Sequence, residues 1–494
     1  MDSFRRTYDS FCQSWGLWVL MLVAVLVFTA SANYMSLKSY DDCHYAQKGV
    51  EMLRRGAVST VTWADRVDFQ YPPLQFWLLA RSFWLYGKND FAARLPSILM
   101  AIGILLMTYR LGSLTIGKSG ALVAVAALML TPLFVTNARR CQTDIPLAFW
   151  TTLAMLIYVE GLDRPKVHAW MAVPMAAGIL TKSVLGLFPL VVVPAGLLVP
   201  AIRKTLRNVW LWLGLVLGVV LGASWSVHQF ALYGNEFISF HYGTMVMSRT
   251  AGPLDLAGIL TDYPAILLEH YQPIVLPALA GLVLYLVDRF RGRRDEGSRA
   301  VTAGRGRSSE SDLLVVWAVL PVVLYSLSSL RHLRYLFPIL PVYGILTGYL
   351  VSTRFRKWVT PLCGYAVPAL TLVSACVYWF VPTLFAGDNN QVFKQEIAVA
   401  REHLAPGTML PYSGEEYWAE ANPLLYYWGV KLERPGDTTQ EAVAKALRAK
   451  HRSMICVRER LDDVERMGIE HETMVTGKGW AWLRFPEATP PDTT

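Results

Sequence analysis

The chain has 494 residues, of which 54% are hydrophobic and 17% charged, with a net charge of +9 at pH 7. A soluble protein carries about a quarter charged residues, whereas here apolar runs of roughly 17 to 25 residues recur as far as about residue 383, long enough to cross a bilayer as helices. The cations are spread between those runs, which argues against nucleic-acid binding, and six cysteines without a CxxC pair argue against a zinc framework.

The chain also lacks a Gly-rich phosphate loop with its Lys, which argues against an ATP-driven pump. The first apolar run, Trp15 to Asn33, is too long for a cleaved signal peptide, and Ser31-Ala32-Asn33 is a poor cleavage site. Residues 34–90 are too polar to lie in hydrocarbon throughout. Within them, Asp42 to Arg55 has apolar residues spaced for a surface helix. Tyr71-Pro72-Pro73-Leu74 marks a helix start, because Pro is favoured in the first turn. The helix that follows, to about Tyr86, is short and aromatic and suits the membrane interface. Further spans are expected at 91–111, 120–135, 145–161, 167–180, 184–200, 209–230, 265–287, 313–330, 333–351 and 358–385.

Lys and Arg set the orientation. With the N-terminus cytoplasmic and the aromatic helix interfacial, nearly every basic cluster between spans falls inside, including the block at 288–311. That gives about 11 spans. From 386 to 494 the composition becomes that of a soluble unit, with helices expected at 395–403 and 439–450 and strands at 452–457 and 480–485. The expected architecture is an all-α polytopic membrane domain over 1–385, with a small C-terminal α/β domain on the extracytoplasmic side.

This topology leaves a few cations at the outer ends of closely spaced spans: Arg139, Arg140, Lys182, Arg331 and Arg334. Asp41, Asp42 and Asp144 share that face. Charge at packed span ends is costly and tends to be functional. Arg matches phosphate oxygens bidentately, and carboxylates suit general-base work or metal binding. Together they suggest transfer of a group from a lipid-phosphate carrier. Blander readings stand beside this one. Cations at span ends also snorkel, and Asp41 and Asp42 also suit a helix N-terminus with Ser39 as its cap. A transporter or flippase for a lipid-linked glycan, or a scaffold that holds a phospholipid, are the competing functions.

An ordered set of motifs carries a resemblance. Asp41-Asp42-x-x-Tyr45, Tyr71-Pro-Pro-Leu74, Ala93-Arg-Leu-Pro-Ser97, Arg139 with Thr143-Asp144, Leu180-Thr-Lys182 and Arg334-Tyr-Leu-Phe-Pro338 follow one another over residues 40 to 340. The chain resembles the polyprenyl-phosphate-sugar-dependent glycosyltransferases of the GT-C fold. Within them it looks closest to the bacterial lipid A aminoarabinose transferases and relatives of the protein O-mannosyltransferases. The resemblance implies an inverting glycosyltransferase of a bacterial inner membrane, with a polyprenyl-phosphate-linked sugar as donor and a lipid, glycan or protein acceptor. It implies Asp41 as the catalytic carboxylate, supported by Asp144 and Asp42. Lys182 and Arg334, with Arg139, Arg140 and Arg331, would hold the donor phosphate. Tyr45, Tyr71, Pro72, Pro73 and Tyr335 would line the substrate pocket, joined by His270 at the entry to a span. A divalent cation on Asp41, Asp42 and His44 is an open option, as is a Cys43–Cys141 disulfide. One departure stands out. Where the aminoarabinose transferases carry Glu-Lys before the first Pro, this chain has Gln70-Tyr71.

Overall fold

The computed structural model describes residues 15–33, 36–37, 41–248, 255–292, 308–357, 365–380, 390–414, 421–433, 438–476 and 480–486. Ser39, the basic residues of 293–307 and the expected boundary at 385–386 lie outside them.

Among the described residues, four stretches are long and apolar enough to cross a membrane by length and composition: Asp90–Thr115, Pro165–Leu198 (which turns at Ser183), Val209–Tyr233 and Leu333–Arg354. The number rises to six if each of two bent helix pairs counts as one span. Shorter apolar helices lie at Gly16–Thr29, Asp312–Ser326 and Val367–Val377. Helix Val209–Tyr233 shows the lipid-facing pattern plainly: Leu213, Val216 and Val220 are exposed on its outer side, which only a hydrocarbon solvent tolerates over such a length. Side-chain caps start two of these helices, Asn89 accepting from the Ala92 amide at 2.8 Å and Asn208 from the Trp210 amide at 3.1 Å.

Three expectations need correction. The span expected at 265–287 is two helices, Leu256–His270 and Val275–Gly292, which meet at 117°. Pro273 stands in the break and cannot supply the N–H that a continuous helix requires. The span at 120–135 likewise divides into Lys118–Met129 and Pro132–Ala138, bent by 72°. Thr131 is extended ahead of its proline, at ψ 108°. Third, Asp41–Arg55 is a helix, but not a surface one: Asp42 through Gly49, with Glu51 and Met52, are buried. It is clamped against helix Leu74–Tyr86, where Gly49 lets the backbones close in. A Cβ there would stand 2.6 Å from Leu79 Cβ.

The C-terminal residues form a five-stranded mixed sheet of order β4-β3-β5-β7-β6. Its strands are β3 (Met409–Ser413), β4 (Lys431–Glu433), β5 (Ser453–Val457), β6 (Glu472–Thr476) and β7 (Trp480–Arg484), with β1 (Thr62–Trp63) and β2 (Arg66–Val67) forming a separate hairpin upstream. Strand β3 runs parallel to β4 and β5, while β7 is antiparallel to β5 and β6. Helices Asn390–His403 and Thr439–Arg448 accompany the sheet.

This unit is fastened to the helices around the acidic stretch. Trp63 of the hairpin belongs to the sheet's own apolar core, beside Trp428 and Trp482. The Tyr427 hydroxyl donates to Asp90 Oδ1 at 2.9 Å and accepts from the Leu37 amide at 2.7 Å. Lys394 pairs with Asp90 at 2.5 Å, and Lys431 pairs with Asp65.

Candidate active site

Four helix ends bring the charged residues together. Asp41 opens helix Asp41–Arg55, and Asp144 opens helix Asp144–Gly161. Lys182 ends helix Ala172–Lys182, where the chain reverses through Ser183 at φ +52°. That reversal seats Gly186 directly on the backbone of Gly178, a contact with no room for a side chain. Arg334 lies in the tight turn Leu333–Ile339 that leads into the last long span, and the His332 ring accepts its amide at 3.2 Å.

Arg334 is the hub. Its Nη1 is 2.9 Å from Asp41 Oδ2, 3.4 Å from Asp144 Oδ2 and 2.8 Å from Gln142 Oε1. Lys182 pairs with the other oxygen of Asp144. Gln142 also donates to Asp41 at 3.2 Å. Two carboxylates and two cations thus form one connected cluster in a partly desolvated setting, where Coulomb interactions are strong.

The cluster faces a cavity of about 570 Å³ lined by Asp41, Asp144, Lys182 and Arg334 at its polar end. Tyr45, Gln70, Tyr71 and Tyr335 line it beside them. Val184, Leu185, Met245, Val246, Leu324 and Leu327 make the rest of the wall apolar. A cavity that joins a fixed pair of cations to an apolar wall suits an amphiphile with an anionic head.

The adjacent acid does something else. Asp42 is buried and meets Arg140 Nε at 3.3 Å. Burial raises its pKa, with Arg140 and Arg94 opposing. Successive residues at the start of one helix point apart, so the acidic pair is divided: Asp41 lines the cavity and Asp42 holds Arg140.

Several expected site residues are placed elsewhere. Arg139 turns its guanidinium to the Ala30 carbonyl, and it sits with Arg140 outside the cavity lining. Arg331 binds Asp262 at 2.7 Å and Asp255 at 3.2 Å, and donates to the Ser326 carbonyl. His270 lies 3.7 Å from Glu269 at the end of a helix and does not line the cavity. Pro72 and Pro73 are buried behind it. Asp41, Asp42 and His44 do not converge, and among the described residues no three metal-ligating side chains gather. Cys43 and Cys141 are buried free thiols, and burial holds both well above the usual thiol range.

A second charged cluster lies behind the cavity wall. Lys48 is completely buried, 3.1 Å from Asp68, and donates to Gln70 Oε1 at 3.1 Å. It lies over the rings of Tyr71 and Phe76, 5.8 and 5.5 Å from their centroids. His44 Nε2 is 2.8 Å from the same Gln70 oxygen, and its Nδ1 is 3.1 Å from Asn422 Oδ1 in the C-terminal unit. Burial first, then the Lys48 charge, lowers the His44 pKa to about 4, so the ring is neutral at pH 7. Burial also lowers Lys48, against the opposing pull of Asp68.

Sequence reasoning missed Gln142, Lys48 and Gln70 as members of these clusters. A neutral amide beside an acidic site gives no charge signal. The available hint for Lys48 was its place four residues after His44, on the same helix face.

Comparison with known proteins finds similar sequences and a similar fold. Residues 70–228 match the family model described as dolichyl-phosphate-mannose-protein mannosyltransferase. The ArnT of Cupriavidus metallidurans bound to undecaprenyl phosphate superposes with a TM-score of 0.72 at 16% identity, over 95% of this chain and 98% of that one. An oligosaccharyltransferase from Archaeoglobus fulgidus superposes with a TM-score of 0.56 at 14% identity, over 90% of this chain and 68% of that one. The class is therefore a polytopic membrane protein of the GT-C fold.

Within that class, the sequence is similar to those of aminoarabinose transferases and to the family model named above. It is 25% identical to the undecaprenyl phosphate-alpha-4-amino-4-deoxy-L-arabinose arabinosyl transferase of Pectobacterium carotovorum, over 74% of this chain and 66% of that protein. It is also 25% identical to two uncharacterized proteins of Aquifex aeolicus, over 45% of the length of one and 74% of the other.

Proposed function

We propose that the protein is an integral-membrane glycosyltransferase that moves a sugar from a polyprenyl phosphate to an acceptor at the outer face of the inner membrane. The observation that carries this reading is the cluster itself: Asp41 and Asp144 face one cavity with Lys182 and Arg334, and an apolar wall continues from them. About 11 spans, an extracytoplasmic C-terminal unit and a basic cytoplasmic side complete the proposed arrangement.

The donor phosphate takes the place that Asp41 holds on Arg334 and meets Lys182 beside it. Those cations then stabilise the charge that grows on the leaving phosphate oxygen. Asp41, freed from Arg334, accepts the proton of the acceptor hydroxyl or amine. The acceptor atom bonds to the anomeric carbon as the bond from that carbon to the phosphate oxygen breaks. The electron pair leaves with the polyprenyl phosphate. One displacement from the opposite face inverts the anomeric centre. Asp144 holds Lys182 and Arg334 in register for the phosphate.

The test is transfer of a labelled sugar from polyprenyl phosphate to membrane acceptors by the purified protein. The wild type transfers, whereas a variant that lacks both cations, Lys182→Ala with Arg334→Ala, does not. Equal transfer by that double variant would overturn the reading.

A further inference from the structure

Gln70 stands where the two charged clusters touch, and its chemistry limits the sugar. The side chain lines the cavity. Its Oε1 is 3.1 Å from Lys48 Nζ and 2.8 Å from His44 Nε2. An ammonium can only donate, so the atom facing Lys48 is the amide oxygen on chemical grounds. Lys48 takes one lone pair of that oxygen, and the His44 tautomer that carries its proton on Nε2 takes the other, with the Asn422 amide turned to donate to Nδ1. Lys48 cannot easily swing away: it is fully buried, paired with Asp68 and stacked on two rings. The amide nitrogen sits on the other branch of the side chain, and among the described residues no protein group bonds it. Gln70 therefore offers N–H donors to the occupant of the cavity and keeps its acceptor for the protein.

The rest of the lining gives an ammonium no better partner. Asp144 already meets Lys182 and Arg334, and Asp41 meets Arg334 and the Gln142 amide. Burial keeps the lining histidines His241 and His332 below the usual histidine range, hence neutral near pH 7. With the phosphate bound, Asp144 stays with Lys182 and Arg334 while Asp41 turns to the proton of the acceptor, so neither carboxylate is left for a positive group on the sugar.

On the donor reading given above, we infer that the sugar on the carrier is uncharged and presents an oxygen acceptor to the Gln70 amide, so that an amino sugar is disfavoured. A desolvated ammonium facing N–H donors would lose its hydration without replacement. An oxygen there gains a hydrogen bond that the amine analogue lacks.

The experiment is a binding competition on the purified full-length protein, read by native mass spectrometry. The probes are bare polyprenyl phosphate, the same carrier bearing a neutral hexose, and carriers on which an amine replaces the hexose 2- or 4-hydroxyl. The expected wild-type result is a preference of at least about tenfold for the neutral hexose over each amino form. Gln70→Glu is expected to erase or invert that ratio. Because the readout is a ratio, any general loss of affinity in the variant drops out. Equal or tighter binding of an amino form by the wild type, or a ratio unmoved by Gln70→Glu, overturns the inference. Glycosylated carriers that bind no better than the bare carrier overturn it as well. Failure to bind even the bare carrier would instead bring down the donor reading on which it rests.

Discussion

The two charged clusters are built from similar residues and set up for opposite ends. In the cavity, Arg334 is shared among Asp41, Asp144 and Gln142, and the cavity gives these groups access to a ligand. Behind the wall, Lys48 is sealed between Asp68, Gln70 and two aromatic rings. A cation shared by two carboxylates beside an open cavity can be taken over by a phosphate. A cation with no exposed surface cannot. The open cluster is suited to chemistry and the closed one to holding its neighbours, including Asn422 of the C-terminal unit, in place.

Substitutions can break this contrast, and the largest effect is expected in the sealed cluster. Lys48→Met leaves the half-buried Asp68 without its cation, at a cost of up to about 3–5 kcal/mol in stability. Thermal unfolding in detergent would register it as a marked fall in Tm. An unchanged Tm would mean that the cluster is not sealed. In the open cluster, Arg334→Ala or Lys182→Ala leaves the buried Asp144 with the other cation, so Tm should fall less than in Lys48→Met while transfer drops about 10²–10³-fold, as loss of one charge-stabilising donor does. Arg334→Lys should not restore the rate, because a point ammonium cannot span Asp41 and Asp144 as the guanidinium fork does.

Acidity acts on the sealed cluster through His44. Its pKa falls from 6.5 in the unfolded chain to about 4 in the fold. The stability it contributes is complete above 6.5 and is lost as pH drops toward 4, because only the unfolded chain takes up the proton there. Each unit within that window removes about 1.4 kcal/mol. Unfolding scans from pH 7 to 5 should show the slope, and His44→Gln should flatten it. Asp68 and Lys48 face the same ring, so a slope that survives His44→Gln would move the assignment to them. The smallest effect is expected at Arg331, which Asp255 and Asp262 occupy away from the cavity. Arg331→Ala should change transfer by less than about threefold.

Apolar run length showed where most helices lie, because burial in lipid demands it. The breaks at Tyr271–Ile274 and after Met129 were not legible. A proline inside an apolar run reads the same whether it kinks a span or ends it. The site was legible where cost marked it: Asp41, Asp144, Lys182 and Arg334 are charges at packed helix ends, and the fold brings all four together. Arg139 and Arg331 carried the same mark, but they serve backbone carbonyls and acidic neighbours, which only the three-dimensional arrangement reveals. Gln142 carries no charge and gave no signal, and Gln70 was visible only as a departure from the family motif. The burial of Lys48 was hidden because helix Asp41–Arg55 has the periodicity of a surface helix, while the covering sheet unit comes some 370 residues later, at Asn422.

The most direct measurement is single-turnover sugar transfer by Asp41→Asn, made alongside its affinity for bare polyprenyl phosphate. The account predicts wild-type-like carrier binding and a loss of transfer of about 10²–10⁴-fold. Transfer by Asp41→Asn at the wild-type rate would contradict it.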